Sequence, residues 1–582
     1  MEEDLTSQLA ALNLGAKHTN LKFRGTDPHF SDLPPFLKQH NDFYFIGQDL
    51  VKRAISTYSS LIGHEAAQTA IYDYRRSYAS GVKAEEFFMR YDVEYHEIVK
   101  DEIYHNALDL VTEWFRPSGV IHPVHMTDLR WYPWNLSTSA ERPFTTDKDL
   151  KALVLEYKHK GLIDNAKMSF GNCINTVFEY NRKYIHNIKH GMNPGLHHIQ
   201  LHVKPAIVDS AEPDKVRSVY GCPKSLIFSE AMFLWPLFSN YFSNQTSPLL
   251  WNYETLKGGW LRLNDEYLTM YSQYRPVISF DWSEFDMRLY FTMWSDIREK
   301  VATYFCWCGR YHPTRTYPCA QTNPQKLKLL WNWTEHAYFD SLAVTTTGKL
   351  YQRMFAGMPS GIFGTQFYDS FYNAVMVVTT LASIGYEISP THFLKTMGDD
   401  VISGLLKHIP EEDWPHFLQA FENEAKRRFN SSLNKKKSRI TETIQGSTIL
   451  SYDNWNGWPS RDLTKLLAQL LHPKSMRDTP PRLMARAIGI YYASAGDYRM
   501  RPICEYIFSE LASQGYSPNP KGLNELFNPE TSVYLEIDPT RFPSRTEVVS
   551  RLMSPSQRSQ VIQDKYWHIP HFLVEAGANL HL

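Results

Sequence analysis

The sequence predicts an α+β fold in which strands near the middle of the chain lie between two largely helical parts. Residues 1–120 and the chain after about residue 460 place apolar side chains mostly at helical spacing. Between these parts, short segments rich in β-branched and aromatic residues each lie beside a longer helical segment. This arrangement is typical of α+β proteins.

Length, composition and charge exclude several classes of protein. The 582 residues are too many for one hydrophobic core, and 43% hydrophobic residues exclude a disordered chain. A net charge of −1 disfavours a simple nucleic-acid coat protein, which would carry a basic excess. The acidic N-terminal stretch does not fit a signal peptide, and the longest apolar run, residues 374–385, is too short to span a bilayer. We therefore expect a soluble protein, and six cysteines without an even spacing favour a reduced, intracellular setting.

The first elements are predicted to be helices, then an irregular segment, then a strand and a helix. HEAAQTAIYDYRRSYASG and VEYHEIVKDEIYHNALDLVTEWF predict helices, and the prolines of residues 131–144 predict irregular structure. Residues 204–237 predict a strand, a basic turn and a helix. Lys215 and Arg217 alternate on a predicted strand, so both side chains point the same way.

An acidic pair and a glycine-rich turn follow. YRPVISFDWSEFDMRLYF predicts a strand that ends at Asp281, with Asp286 in the turn or first helical residues after it. MPSGIFGTQFYDSFYN predicts a Gly-rich turn before a long helix. Ser360, Thr365 and Asn373 offer neutral hydrogen-bonding groups there, which suit a sugar hydroxyl or a base better than a phosphate. Thr365 and Asn373 are about two helical turns apart and can share one face.

Two adjacent carboxylates lie in TMGDDVISG. Asp399 and Asp400 follow Gly398 and have apolar residues on both sides, which predicts the tip of a tight hairpin between two half-buried strands. Two strand ends can bring Asp281 and Asp399 together. Close carboxylates repel, and Mg²⁺, which prefers oxygen ligands, removes that repulsion. A further helix, EEDWPHFLQAFENEAKRRFN, and strands around 438–452 are predicted next.

The order of these motifs resembles the viral RNA-dependent RNA polymerases, in particular those of partitiviruses. D-x4-D, SG-x3-T-x7-N and GDD are similar to motifs A, B and C of that family. DKVRSVYGCP resembles motif F, and SLNKKKSRI with SYDNWNGWPSRDLTKLLAQLLHP resembles motifs D and E. The resemblance covers about residues 205–475. It implies a right-hand polymerase fold with fingers, palm and thumb, an antiparallel palm sheet, and replication and transcription of a viral double-stranded RNA genome.

The resemblance also implies roles for individual residues. Asp281 and Asp399 are expected to be the principal ligands of two Mg²⁺ ions, which Mn²⁺ can replace, with Asp400 as an auxiliary ligand. Lys437 is expected to be the general acid toward pyrophosphate, although Lys435 and Lys436 compete for that position. The nucleotide-binding residues implied are Lys215 and Arg217 for the triphosphate, and Asp286, Ser360, Gly361, Thr365 and Asn373 near the ribose.

Two RNA contacts are implied outside the central motifs. Arg461, in GWPSRD, is expected to contact the primer or the initiating nucleotide. The nearest match to motif G is STSAERPF, which lacks the family's glycine, and it places a contact with the incoming template near Ser139–Arg142.

The resemblance divides the chain into five segments. They are an N-terminal helical extension with part of the fingers (1–120), fingers with the basic nucleotide-binding motif (121–270), palm (271–305 and 350–455), a fingers insertion (306–349) and thumb (456–582). The expected partners are RNA template and product, ribonucleoside triphosphates and a viral capsid protein, with no membrane. The expected locations are the virion interior and the host cytoplasm.

Two other functions and one other site stay open. A reverse transcriptase would carry a bulky aromatic residue at the position of Asp286, and a non-catalytic RNA-binding virion protein would carry more positive charge. CWCGRYHPTRTYPC offers zinc-type ligands at Cys306, Cys308, His312 and Cys319. Because C-x-C is tighter than the usual spacing and no second pair follows, a loop with buried thiols is the preferred interpretation.

Overall fold

The computed structural model describes residues 19–30, 40–243, 248–386, 388–389, 392–525, 537–554 and 564–580, and they form a mixed α+β protein as predicted. The helices are α1 (Asp42–Thr57), α2 (Ser59–Ile62), α3 (His64–Tyr72), α4 (Gly81–Met89), α5 (Glu102–Trp114), α6 (Lys148–His159), α7 (Ile174–Lys189), α8 (Lys224–Ser243), α9 (Gly259–Met270), α10 (Phe291–Ala302), α11 (Pro324–Asp340), α12 (Thr365–Ser383), α13 (Trp414–Phe429), α14 (Leu463–Leu471), α15 (Pro480–Ala493), α16 (Met500–Ser513) and α17 (Arg545–Met553).

Strands occur from the N-terminal part to about residue 460. They are β1 (Leu21–Thr26), β2 (Tyr74–Arg76), β3 (Ile199–Pro205), β4 (Ile207–Asp209), β5 (Val216–Gly221), β6 (Val277–Phe280), β7 (Trp282–Ser283), β8 (Ala343–Val344), β9 (Lys349–Arg353), β10 (Leu394–Met397), β11 (Asp400–Gly404), β12 (Ser432–Leu433), β13 (Arg439–Thr441), β14 (Thr448–Ile449), β15 (Tyr452–Trp455) and β16 (Trp458–Ser460).

An antiparallel sheet with the order β10-β11-β6-β13 lies near the middle of the chain. All four residues of β6, VISF, are buried, because both faces of this sheet are covered. Ile278 and Val401 belong to the main hydrophobic core, whereas Val277 and Ile402 belong to a separate cluster on the other face. Helix α12, whose side chains are buried from Phe367 to Leu381, packs against β10 and β11.

A second sheet, β1-β9-β8-β3-β5, includes a strand from the N-terminal part. β1 pairs with β9, so the prediction of mostly helical structure before residue 120 is wrong there. The two predicted N-terminal helices are also shorter than expected. The first ends at Tyr72, before β2 begins at Tyr74. The second begins only after Asp101, whose carboxylate accepts the backbone N–H of Tyr104 as an N-cap.

The C-terminal part is helical, as predicted, and it packs against both the N-terminal helices and the main hydrophobic core. Helices α14, α15 and α16 pack with α1 and α3 around their own hydrophobic cluster. The last described segment, residues 564–580, returns to the main core through Trp567 and Phe572. No helix in the described part of the chain has the length and apolar character that a membrane span requires.

Candidate active site

The hairpin that carries the adjacent aspartates turns through two residues. Met397 pairs with Asp400 across β10 and β11, so Gly398 and Asp399 form the loop. Gly398 has φ +64°, in the left-handed region that glycine adopts without a steric penalty. Asp399 therefore lies at the tip and Asp400 at the first position of the returning strand, as the sequence predicted.

Asp281 comes to the same end of the sheet. β11 pairs with β6 so that Val401 lies opposite Phe280, and this register puts Asp281 opposite Asp400. The backbone of Asp281 is fixed by β13 and its preceding turn, since its N–H donates to Ser438 Oγ at 3.1 Å and its carbonyl accepts the N–H of Asn434 at 2.7 Å.

The carboxylates are close enough to perturb one another. Partial removal from water, and then the charges of Asp286 and Asp281, raise the pKa of Asp399 to about 6. Partial removal from water, and then the charges of Asp399 and Asp281, raise the pKa of Asp400 to about 7. A hard divalent cation binds carboxylate oxygens. Its charge therefore stabilises the ionised form of carboxyl groups that otherwise repel one another.

One of the three competing lysines reaches this carboxylate cluster. Lys437 Nζ lies 3.3 Å from Asp281 Oδ2, and its side chain is otherwise mostly exposed. Lys435 instead pairs with Glu422 at 2.8 Å. The geometry therefore favours Lys437 over Lys435 as a group that meets the reacting phosphates.

Asp286 faces the glycine-rich turn. It lies in a 3₁₀ turn, Phe285–Arg288, and its carboxylate accepts a hydrogen bond from Ser360 Oγ. The main chains are joined as well, because the N–H of Met358 donates to the Asp286 carbonyl at 2.7 Å. At Gly361 a Cβ atom would come within 1.9 Å of the Tyr220 carbonyl oxygen, so only glycine allows this approach.

Asp369 is a member of this cluster that the sequence interpretation missed. It is buried on α12, four residues after Thr365, and its carboxyl group lies beside that of Asp286. Burial, and then the charges of Asp286 and Asp399, raise its pKa well above the ordinary value. The raised pKa favours the protonated form of Asp369, which can donate to the Asp286 carboxylate. An acidic residue within an apolar helix was the signal for it.

The polar atoms of Asn373 and Thr365 have hydrogen-bond partners within the protein. Asn373 is fully buried, its Nδ2 donates to the carbonyls of Gly398 and Asp400 at 3.0 and 3.2 Å, and its Oδ1 accepts Trp282 Nε1–H at 2.8 Å. Thr365 Oγ1 donates to the Ile362 carbonyl at 3.0 Å. The ribose role expected of Asn373 stays a prediction, and in this structure its polar atoms fasten the hairpin to α12.

A buried glutamate fixes the start of α12. Glu230, on α8, accepts the N–H groups of Phe363 and Gly364 at 2.9 and 3.1 Å, and it accepts the Tyr338 hydroxyl at 2.6 Å. A carboxylate at a helix N-terminus satisfies orphan donors and opposes the helix dipole. This contact holds the turn that contains Ser360 in place.

Basic side chains lie beside the carboxylates. Lys215 immediately precedes β5 and Arg217 lies on it, and both are exposed on either side of buried Val216, as the alternation predicted. Partial burial, and then the charges of Arg217, Arg90 and Lys437, lower the pKa of Lys215. Arg90, at the end of α4, is a further member of this positive cluster that the sequence did not indicate.

A cavity of about 790 Å³ opens beside the glycine-rich turn. Its walls include Gly361, Ser139, Glu141 and Arg461. The Arg461 guanidinium lies 5.3 Å from the centre of the Tyr452 ring. Arg142 does not line this cavity, because it is buried in an ion pair with Asp27.

The four zinc-type ligands that CWCGRYHPTRTYPC offers do not converge. Cys306 and Cys308 are joined by a disulfide and Cys319 is exposed, so the preferred interpretation of a loop with buried thiols is wrong as well. His312 Nε2 hydrogen-bonds the Val574 carbonyl at 2.9 Å instead. Among the described residues it is His122, from a distant part of the sequence, that lies beside the two sulfur atoms.

Comparisons with known proteins agree on one activity. Residues 200–451 match the family model described as viral RNA-dependent RNA polymerase. The chain is 32% identical over 578 residues to the RNA-directed RNA polymerase of White clover cryptic virus 1, isolate Boccardo/2004, covering 91% of this chain and 92% of that protein. It is 26% identical over 510 residues to the RNA-directed RNA polymerase of Atkinsonella hypoxylon virus, isolate 2H, covering 77% and 74%.

Proposed function

This chain belongs to the viral RNA-dependent RNA polymerases, and we propose that it transfers nucleotides at the carboxylate cluster of Asp281, Asp399 and Asp400. It is an RNA-directed RNA polymerase, so it binds RNA and ribonucleotides. The convergence of three carboxylates at one end of the β10-β11-β6-β13 sheet is the observation that carries the proposal. Neither a reverse transcriptase nor a non-catalytic virion protein fits the family match.

The donor set fits divalent cations. We assign Asp281 and Asp399 as the principal ligands of two Mg²⁺ ions, with Mn²⁺ as a substitute, and Asp400 as the auxiliary ligand. When bound, such ions activate the attacking 3′-hydroxyl and stabilise the leaving pyrophosphate. Asp399 and Asp400 have raised pKa values without a cation, so cation binding favours their ionised forms.

The basic cluster holds the triphosphate. Arg217 offers a planar fork and Lys215 a point charge, on the side of the cleft where Arg90 also lies. Lys437, within 3.3 Å of Asp281, donates a proton to the departing pyrophosphate. These residues act by position and charge, since phosphoryl transfer requires little covalent chemistry from the protein.

Asp286 and Ser360 recognise the ribose 2′-hydroxyl. Their hydrogen bond leaves the Asp286 carboxylate in the cleft wall, and Asp369 donates to that carboxylate from the other side. A carboxylate held by two donors keeps one orientation. A ribonucleotide can satisfy it with its 2′-hydroxyl, whereas a deoxyribonucleotide leaves it without a third donor.

We assign the β10-β11-β6-β13 sheet to a palm of 271–305 and 350–455. The fingers comprise parts of 1–120, 121–270 and the insertion 306–349, and the thumb comprises 456–582. The cavity beside Gly361 is the path for RNA, which Arg461 contacts from the thumb side and Ser139 from the fingers side. Arg142 supports that wall from behind.

The biological setting follows the resemblance to partitiviruses. Motifs D, E and F support assignment to that group, and the two similar polymerases come from a cryptic virus and from Atkinsonella hypoxylon virus. We propose that the enzyme copies a double-stranded RNA genome inside a particle, with a capsid protein as partner, in the host cytoplasm.

A nucleotide-incorporation assay on an RNA template tests this function. With Mg²⁺ and ribonucleotides the wild-type protein extends RNA, and with deoxyribonucleotides it does so poorly. Asp399→Ala abolishes extension, whereas Asp164→Ala, at an exposed aspartate on a distant loop, leaves it unchanged. Extension by Asp399→Ala at the wild-type rate would refute the site assignment.

A further inference from the structure

We propose that Asn20, far from the polymerase motifs in sequence, is a positioning residue for sugar selection. Its side chain is fully buried and is a hub of hydrogen bonds. Asn20 Oδ1 accepts three successive backbone N–H groups, those of Met354, Phe355 and Ala356, at 3.1, 2.9 and 3.0 Å. Its Nδ2 donates to the carbonyls of Tyr91 and Ala356 at 2.7 and 2.8 Å.

The segment that Asn20 holds is irregular and cannot satisfy these groups itself. It leaves β9 after Arg353 and does not continue as a strand. Three consecutive N–H groups that point at one oxygen form a concave nest, which needs an acceptor at its centre. The Asn20 side chain supplies that acceptor and at the same time ties the nest to the carbonyl of Tyr91.

The same segment continues directly into the turn that carries Ser360. The N–H groups of Gly357 and Met358 donate to the carbonyls of Leu289 and Asp286 at 3.0 and 2.7 Å. Ser360 then donates to the Asp286 carboxylate. One end of the segment is therefore set by Asn20, and the other end carries the hydroxyl that orients Asp286.

The ring of Tyr91 also packs against this segment. A Cβ atom at Gly357 would come within 2.9 Å of Tyr91 Cδ1, so the ring lies directly against the segment. Displacing the Tyr91 main chain, which Asn20 binds, would move this ring and the turn that rests on it. Asn20 thus acts on Ser360 through the backbone of residues 354–358 and through Tyr91.

This inference rests on the proposed ribose-reading role of Asp286 and Ser360. Asn20→Ala leaves the N–H groups of Phe355 and Ala356 without their acceptor, while Met354 keeps only the main-chain carbonyl of residue 20 at 2.8 Å, so the Ser360 turn loses its fixed position. We expect the ratio of ribonucleotide to deoxyribonucleotide incorporation, each as kcat/KM, to fall roughly tenfold. Asn20→Asp keeps the acceptor but turns an oxygen toward two carbonyl oxygens. We expect the same incorporation ratio to fall several-fold in this variant.

Asn181→Ala is the matched control, because Asn181 is also fully buried and donates to a backbone carbonyl, at 2.8 Å, but lies on α7. It should lower Tm without changing the ratio of ribonucleotide to deoxyribonucleotide incorporation, which we call the sugar ratio. An Asn20→Ala protein with a lowered Tm and the wild-type ratio would overturn the inference. If Asn20→Ala does not fold, a wild-type ratio in Asn20→Asp overturns it equally.

Asp286→Ala separates this inference from the proposed function. If Asp286→Ala reduces the sugar ratio and the Asn20 variants do not, only the positioning role of Asn20 fails. If Asp286→Ala leaves the ratio unchanged, the ribose-reading role itself fails, and with it the route by which Asn20 would act.

Discussion

The carboxyl groups of Asp399 and Asp400 make the stability of the metal-free protein depend on pH. Their pKa values, about 6 and about 7, lie above the ordinary value of 3.8. From the ordinary value of 3.8 up to about 7, these two carboxyl groups bind more protons in the folded protein than in the unfolded chain, so their contribution to the free energy of unfolding falls as pH rises. Buried histidines whose pKa values are lowered from 6.5 to about 4 act in the opposite direction, so the effect of these carboxyl groups is measured as a difference between proteins. We predict that, in EDTA, the Tm of the wild type relative to that of Asp400→Asn falls from about pH 5 to about pH 8.

Mg²⁺ should oppose this trend, because cations and protons compete for the same oxygens. The gain in Tm on adding Mg²⁺ is expected to be larger near pH 8 than near pH 5. Thermal unfolding with and without Mg²⁺ measures both effects. Equal pH profiles for wild type and Asp400→Asn in EDTA would show that this carboxyl does not titrate as described.

We expect Asp369 to act on Asp286 as a protonated donor, because burial and the neighbouring charges of Asp286 and Asp399 raise its pKa. Asp369→Asn keeps a donor of the same shape, so we predict that RNA synthesis and the sugar ratio stay near wild type. Asp369→Ala has no donor and does not overfill the buried site, and losing a hydrogen bond worth about 1–2 kcal/mol should lower the ratio of ribonucleotide to deoxyribonucleotide incorporation roughly tenfold. Incorporation kinetics with both sugars measure this, and a low ratio in Asp369→Asn would argue for an ionised Asp369.

Among the elements, helix α12 and the β10–β11 hairpin form one unit through Asn373. Asn373→Ala removes the bonds to Gly398, Asp400 and Trp282, and each buried group left unpaired costs about 1–3 kcal/mol. We predict a lowered Tm and a fall in kcat with little change in KM, because the hairpin loses its position while the triphosphate contacts stay. Steady-state kinetics and thermal unfolding test it.

Thr379→Val is the control on the same helix. Thr379 is fully buried and donates only to the Val375 carbonyl at 2.6 Å, so its replacement changes one local bond. We expect kcat near wild type. An Asn373→Ala enzyme with wild-type kcat would mean that the hairpin keeps its place without the amide.

Local patterns could predict the elements that local chemistry decides. Glycine before the Asp pair predicted the hairpin, and the apolar run after Thr365 predicted α12. The β1–β9 pair could not be predicted, because it joins segments more than 300 residues apart by contacts that leave no local pattern. Asn373 shows the same limit within one helix, since its spacing from Thr365 gives a shared face but only packing on the sheet decides what each side chain meets.

In the whole molecule, the C-terminal segment 564–580 fastens distant parts of the chain together. The Tyr566 carbonyl accepts Trp235 Nε1–H at 3.0 Å, and His571 Nε2 lies 2.8 Å from Asp128 Oδ1 in a buried pair. Removing one partner of a buried pair costs about 3–5 kcal/mol. We predict that truncation before residue 564 lowers Tm and exposes the RNA cavity to protease, whereas removal of residues 581–582 does neither.

Limited proteolysis and thermal unfolding of the two truncations measure this. Equal Tm values for both would show that the segment adds nothing to the fold. Loss of RNA synthesis without a change in Tm would instead indicate a direct role at the cavity, of which Tyr566 forms part of the wall.

Metal binding by Asp281 and Asp399 is tested most directly by anomalous diffraction from crystals containing Mn²⁺, an RNA primer–template and a non-hydrolysable ribonucleoside triphosphate. We predict two Mn²⁺ ions roughly 3.5–4 Å apart, with both aspartates as ligands and the triphosphate between them and the basic cluster. Manganese at other carboxylates, with Asp281 and Asp399 bound to no ion, would contradict the assignment of this cluster as the catalytic centre.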